Sequence, residues 1–478
     1  MDVSSLAFLA FAGVVALLYH AWRNTTWRQV VLLAANMAFL ATVSHQAKSF
    51  LPFVGFLLVG YAGIRFVQAK KSSVSFVVLV VCFVFVFVWL KQYRFLPGSM
   101  FLPFTYITIG LSYIFFRVLH VVIDAHEGSL TCRLSFVSYL NYTLNFTCLV
   151  AGPIQMYPDY AQSQLETPAP WPSPERALAA GERILLGFFK VRVLSMFLLL
   201  AHGAAIRRLS AEQAARASII TGGMVAALYL VYLYFNFSGY CDMMIGAGSF
   251  LGMDLPENFD RPFATYNFIE FWGHWHMTLS NWLKTYVYSP LLKNLMARYP
   301  DRSVEPFLGI IAFFVTFFLV GVWHGQTSEF LFFGVLQGLG VSLNKLYQVL
   351  MGSYLGRKRF KALRDNRVYR SLARGLTFSY FCFTSLWFWS NWAQLHGMAR
   401  ALGPLKIAMV WLAVWICSAV VLSIWETARE WALNLRWSGT PVLTAAPVRA
   451  AWSVYLGFIS AMILSDFHAT ASILYQIF

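Results

Sequence analysis

"VSFVVLVVCFVFVFVWL", residues 74–90, carries no charge anywhere along its length. A helix rises about 1.5 Å per residue, so a run of this size comes close to the ~20 residues that cross the hydrocarbon of a bilayer. Phe307–Trp323 is likewise uncharged, and Leu402–Leu422 is similarly apolar. Further apolar stretches start near Leu6, Val30, Leu51, Phe101, Ile184, Ile219, Phe330, Leu376 and Trp452. Together they predict an all-α polytopic membrane protein of roughly 11–13 transmembrane or re-entrant helices, the shorter ones tilting, pairing or re-entering.

Composition points the same way. Of 478 residues, 59% are hydrophobic and 12% charged, more apolar surface than a soluble chain of this length hides from water. The opening "MDVSSLAFLAFAGVVALLYHAW" has no basic leader and no small-residue cleavage site, so it reads as a retained helix and not a signal peptide. Arg23, Arg28, Arg65, Lys70, Lys71 and the cluster "GRKRFKALRDNRVYRSLARG" (356–375) mark cytoplasmic ends and put the N-terminus outside, although Lys91 and Arg94 oppose that orientation. Cys82, Cys132, Cys148, Cys241, Cys382 and Cys417 show no paired spacing, which argues against a disulfide framework or a zinc ribbon. The formal charge of +16 suits anionic membrane lipids, and equally an acidic soluble partner or a phosphorylated cofactor. No nucleic acid is expected among the partners.

No fixed-period repeat and no inverted pair of halves is visible, which weighs against a repeat-built transporter. The chain reads as one membrane domain, 1–478, with C-terminal helices over 376–478. Four polar stretches are expected outside the hydrocarbon. Residues 155–183, with five prolines, read as loop; 206–217 as a charged connection; 353–375 as a basic cytoplasmic loop; 435–450 as a further break.

The centre of the chain behaves differently. Residues 234–292 mix aromatics with Asn236, Ser238, Asp242, Glu270, His274, His276, Ser280 and Lys284. Ionisable groups at membrane depth are costly, and irregular backbone survives there only inside protein or along a wet cavity. A helix over 270–288 aligns Phe271, Trp275, Leu279, Trp282 and Tyr286 on one stripe, which an interfacial amphipathic helix would also do. On a helix His274 and His276 face apart, so no metal site is expected unless the helix breaks between them. His324, in "GVWHGQTSEFLFFG" (321–334), reads on its own as a turn residue in contact with headgroups and water.

Taken in order, "LNFTCLVAGPIQMY" (144–157), "YFNFSGYCDMMIGAGSFLGMDLPENFDRPF" (234–263), "EFWGHWHMTLSNWLKTYVYSPL" (270–291) and "GVWHGQTSEFLFFGVLQG" (321–338) resemble the motifs of the membrane-bound O-acyltransferase family. The likeness is to its bacterial polysaccharide branch, the alginate O-acetyltransferases and the teichoic-acid D-alanyl transferases. "GLSYIFFRVLHVVIDAHEG" (110–128) and "GFFKVRVLSMF" (187–197) extend it, so it covers about residues 100–345. The resemblance implies a helical ring or funnel with a thinned centre, in a bacterial cytoplasmic (inner) membrane. There a cytoplasmic acyl donor meets an acceptor from outside, an extracytoplasmic polysaccharide or a relay protein. It implies that His324 is the catalytic residue and His276 its companion, and it gives His274 no counterpart. This chain departs from the pattern with "FWGHWH" before the motif, Thr278 in place of serine, and Lys284 and Thr285 in place of an arginine-aspartate pair.

Moving an acyl group from a thioester to an alcohol requires a base for the hydroxyl proton, and neutral imidazole has the right basicity near pH 7. His324 is the candidate base. The oxyanion needs donors, for which His276, Asn281, Gln326 and the backbone near Gly325 are candidates. Asp242 either orients an imidazole or braces a re-entrant segment, the latter being favoured for an isolated carboxylate at depth. Cys241 invites an acyl-cysteine intermediate, but the neighbouring carboxylate disfavours its thiolate. The expected donor is acetyl-CoA or an acyl carrier protein thioester, with no tightly bound cofactor and no metal. Two readings of other classes compete: a transporter or channel, and a docking platform whose basic loop recruits an acidic protein.

Overall fold

The charge-free run begins where the Ser72 hydroxyl accepts a hydrogen bond from the Ser75 amide, and it forms one helix, Ser73–Leu90. Only 17% of it is buried inside the protein: Phe83 and Phe87 pack inward, and Val74, Val77, Val78, Val81, Val84 and Phe85 are left to face lipid. The computed structural model describes residues 3–130, 134–166, 170–211, 218–301, 303–437, 440–441 and 446–466. Among these the regular structure is helical apart from a two-residue antiparallel pair, Arg436–Trp437 with Thr440–Pro441, and an isolated bridge between Phe259 and Trp275. Seven helices are long and apolar enough to cross a membrane, among them Ile219–Phe250, Glu305–His324 and Trp392–Asn434. Others of the expected dozen are shorter pieces such as Leu6–His20, of 15 residues, and Leu111–Glu127, of 17. The stretch expected to start near Phe101 turns helical only at Leu111, behind Gly110 in the left-handed region.

Two compact units divide the chain and interleave along it. The first takes its residues from Met1–Val191 and Phe237–Glu257, the second from Arg192–Asn236 and Asn258–Ala471. In the first, Leu51–Ala69 packs on Leu111–Glu127 and Leu6–His20 on Thr25–Ala41. Its buried Arg117 donates to the carbonyls of Tyr142, Thr143 and Cys148, which satisfies the end of helix Phe136–Thr143 and the irregular chain that follows.

In the second unit Glu305–His324 and Ser328–Asp365 form the most extensive helix pair. They meet through glycine: a Cβ on Gly321 would overlap Gly334 and the Phe330 carbonyl, and one on Gly334 would press the Phe318 carbonyl. Gly334→Leu is therefore expected to force the pair apart, at about 1–3 kcal/mol of overpacking, and to lower the melting temperature by about 5 °C. Differential scanning fluorimetry in detergent checks this; an unchanged melting temperature would show that the contact is dispensable.

Several expected loops are helical. Residues 353–375 fall in Ser328–Asp365 and Arg367–Thr384, interrupted only by Gly356 at φ 74° and by Asn366, which caps the second helix. Basic side chains can stay solvated on a helix as well as on a loop, so charge density alone did not specify the backbone. Within 155–183, Tyr157–Ala161 is helical and Pro174 opens the helix Pro174–Phe189, a position where proline's missing N–H costs nothing. The charged connection at 206 is the end of Met196–Ala211, and 212–217 lies outside the described residues, as does Cys132. The expected helix over 270–288 breaks at Trp275 and His276 and continues as Met277–Leu283 and a π-helical turn, Lys284–Tyr288.

Candidate active site

His276 is the first residue of the second unit's broken segment to leave helical geometry in the left-handed sense, with φ 46° and ψ 50°. A non-glycine residue holds that conformation only when its surroundings impose it. Here they do. The strand-like stretch 258–260 lies antiparallel to 274–277, with the Met277 amide donating to the Asn258 carbonyl at 2.9 Å and the Asp260 amide to the His274 carbonyl at 3.0 Å. The Asn258 side chain completes the clasp. Its Oδ1 accepts from the Thr278 amide at 3.2 Å and the Thr278 hydroxyl at 2.9 Å, and lies 3.1 Å from Nδ1 of His276.

This fixes a proton. A backbone amide only donates, so the Asn258 atom it meets is the carbonyl oxygen, and the imidazole nitrogen facing the same atom must carry hydrogen. His276 is therefore the Nδ1–H tautomer when neutral, with its lone pair on Nε2. His276 is 1% exposed and lies outside the seven candidate spans. Burial, and next the charge that His324 would bring, push its imidazole well below the ordinary value near 6.5.

His324 meets a ring that His276 also meets, that of Trp323. His324 ends helix Glu305–His324 and is 6% exposed, which rules out a residue projecting into headgroups or water. Its ring is boxed by Trp323, Phe388 and Phe333, with centroids at 4.6, 5.0 and 6.1 Å. Trp323 also reaches His276, at 6.3 Å. The backbone then turns at Gly325, where any Cβ would run into the Phe330 ring.

The remaining sequence candidates separate. Asn281 and Gln326 are exposed. Cys241 is buried. In the first unit Asp242 is held by Lys190 at 2.7 Å and Arg183 at 3.1 Å, and Arg183 also binds Glu257 at 2.6 Å. That places Asp242 in an ion network, the bracing arrangement favoured for it. The helix break that a shared metal would need is present, yet His274 turns its Nδ1 to the Asp260 carbonyl at 2.6 Å while His276 turns to Asn258. Among the described residues no group of three or more His, Cys, Asp or Glu is arranged to hold a metal. Thr278 does what a serine would at that position, and Lys284 and Thr285 are exposed.

Asn258 and Trp323 were not singled out from the sequence. Asn258 stands eighteen residues before its imidazole, between Glu257 and Phe259, and no periodicity links it to position 276. The only signal available was that it lies inside one of the quoted motifs.

A model described as MBOAT, membrane-bound O-acyltransferase family, matches residues 20–383. The teichoic acid D-alanyltransferase of Bacillus subtilis is 28% identical over 290 residues, 58% of this chain and 67% of that protein. The peptidoglycan O-acetyltransferase of Helicobacter pylori is 32% identical over 44% of this chain and 38% of its own length. A probable alginate O-acetylase of Pseudomonas aeruginosa is 26% identical over 72% of this chain and 66% of its own. The matched region thus spans about two-fifths to two-thirds of these relatives.

Proposed function

Because the chain belongs to the membrane-bound O-acyltransferase family, we propose that it transfers an acyl group, acetyl in the first instance, from a thioester to a hydroxyl of a cell-envelope polysaccharide or of a protein that relays it. The reaction takes place in the cytoplasmic membrane of a bacterium, with acetyl-CoA or a loaded acyl carrier protein as donor from the cytoplasm. The observation that carries this reading is the pair of buried imidazoles, His276 and His324, brought together around Trp323 with one proton position set by Asn258.

His324 accepts the proton of the acceptor hydroxyl as its oxygen attacks the thioester carbonyl. The C–S bond then breaks, and the imidazolium returns the proton to the departing thiolate. His276, with Nε2 unprotonated, serves as a hydrogen-bond acceptor that orients the attacking hydroxyl or the neighbouring ring. It is therefore a poor oxyanion donor in its neutral form, and that task falls to backbone N–H groups near Gly325. Asn281 and Gln326, being exposed, have no part in this scheme.

A D-alanyl group carried by an acyl carrier protein is the second reading, favoured by the likeness to the Bacillus subtilis enzyme. Purified protein in lipid nanodiscs is incubated with radiolabelled acetyl-CoA and, separately, with D-alanyl and acetyl carrier proteins and a polysaccharide acceptor. Labelled polymer from acetyl-CoA or the acetyl carrier supports the first reading, and label from the D-alanyl carrier alone supports the second. Flux without any new ester bond would instead favour a transporter.

A further inference from the structure

Two arginines are almost fully buried in the first unit, and they are treated differently. Arg117 spends its guanidinium on three backbone carbonyls. Arg28, 1% exposed, makes no ion pair among the described residues; its side chain interacts with that of Tyr19, while its Nε and Nη1 are both buried without an acceptor. The face of Tyr19 lies 4.8 Å from the guanidinium carbon. A guanidinium is always charged, and a cation–π contact of about 0.5–2 kcal/mol does not offset the several kcal/mol lost on desolvating it.

Its surroundings are donors as well. The Gln29 carboxamide oxygen is taken by Asn141 at 2.9 Å, which turns Nε2 of Gln29 loose and buried. The hydroxyl of Tyr160, fully buried, interacts with that carboxamide and meets no other acceptor or donor in hydrogen-bond geometry among the described residues. The Tyr19 hydroxyl donates away, to Gln164 at 2.7 Å. No carboxylate enters the cluster through any ion pair among the described residues. Buried N–H and O–H groups with unfilled hydrogen-bonding capacity around a cation that no carboxylate pairs favour a ligand that is acceptor-rich and negative.

The depth of the cluster narrows the chemistry. Arg28 stands in the first turns of Thr25–Ala41, next to Trp22 and Trp27, whose rings meet at 5.8 Å, and Trp171 packs on His20 at 5.0 Å. Trp22 and Trp171 are exposed, as tryptophans are at the level of lipid headgroups. We propose that Arg28, Gln29 and Tyr160 form a binding site for a phosphate oxyanion, separate from the imidazole pair, with a phospholipid headgroup as its source. The bound phosphate neutralises Arg28 and ties Thr25–Ala41 to the helix Tyr157–Ala161.

The sign of one substitution tests this. In phosphate-free gluconate buffer and a neutral maltoside detergent, Arg28→Met should melt higher than the wild type, because a methionine of similar length removes the unpaired charge. Adding short-chain phosphatidylglycerol should raise the wild-type melting temperature by about 3 °C or more and leave Arg28→Met unmoved. Inorganic phosphate is the second arm and a phosphate-free galactosyl diacylglycerol the third. A rise with inorganic phosphate equal to that with the phospholipid keeps the oxyanion site and overturns the headgroup as its source. A rise with the galactolipid equal to that with phosphatidylglycerol, an equal response in Arg28→Met, or no response to any addition overturns the site and leaves water as the partner of these donors. Should Arg28→Met fail to fold, Tyr160→Phe must show a reduced phospholipid shift for the proposal to stand.

Discussion

His324→Ala is expected to lose transfer by about 10³-fold while keeping the wild-type size-exclusion profile and melting temperature within a few degrees. A positioned general base contributes roughly 10²–10⁴-fold, and here the same residue also sets the boundary of an aromatic box. The ring is buried among Trp323, Phe333 and Phe388, so alanine opens a cavity lined chiefly by aromatic carbon. Initial rates with saturating donor and acceptor, measured beside the melting curve, separate the two effects. Turnover at the wild-type rate in a folded His324→Ala protein would remove the base from the mechanism and leave the other classes, transporter or docking platform, in its place.

The second large effect belongs to a residue that touches no substrate in the scheme. Asn258→Leu removes the oxygen that three donors share, the His276 Nδ1–H, the Thr278 amide and the Thr278 hydroxyl. Each buried donor left unmatched costs about 1–3 kcal/mol, so the melting temperature falls. The His276 ring is also freed to take the other tautomer. Transfer is expected to fall by about 10²-fold, mostly in kcat, because the lone pair is no longer held on Nε2. Asn258→Asp keeps an acceptor for the same three donors, so it restores folding, but its carboxylate favours the imidazolium and moves the acid limb of the pH–rate profile upward. Nitrogen-15 shifts of His276 report the tautomer directly. If Asn258→Leu leaves those shifts unchanged and Asn258→Asp leaves the pH profile unchanged, Asn258 is a structural clasp alone.

The sequence resolved these two residues unequally. His324 lay in a run whose neighbours on either side were apolar, and the resemblance singled it out before any geometry was known. Read without that resemblance it was indistinguishable from a turn histidine, because burial is a property of what packs over a side chain and position 388 gave no hint that its phenylalanine would. His276 was identified in the same way, but its proton position was not legible at all. That depends on a carboxamide eighteen residues upstream, brought back by an antiparallel bridge between Phe259 and Trp275. The amphipathic stripe over 270–288 was real in its residues and wrong in its backbone: Phe271 and Trp275 still stack, at 5.5 Å, but across the end of one helix and not along a continuous one. Asn281 and Gln326 were chosen for chemistry alone, and exposure removed them.

What the residues determined unaided was the solvent. Charge-free runs such as 74–90 are continuous and do not alternate as barrel strands do, so a helix, which satisfies its amides within the segment, is the backbone they take in lipid, and the all-α polytopic class followed from composition and length. Partnership was decided only by the tertiary structure: which imidazole is sheltered, which nitrogen holds its hydrogen, that Asp242 answers to Arg183 and Lys190, and that no carboxylate pairs with Arg28 among the described residues. The reason is range. Hydrophobicity is summed along a local stretch and survives any folding of the rest, whereas a hydrogen bond requires two groups within about 3 Å of each other, and chain separation does not encode that distance.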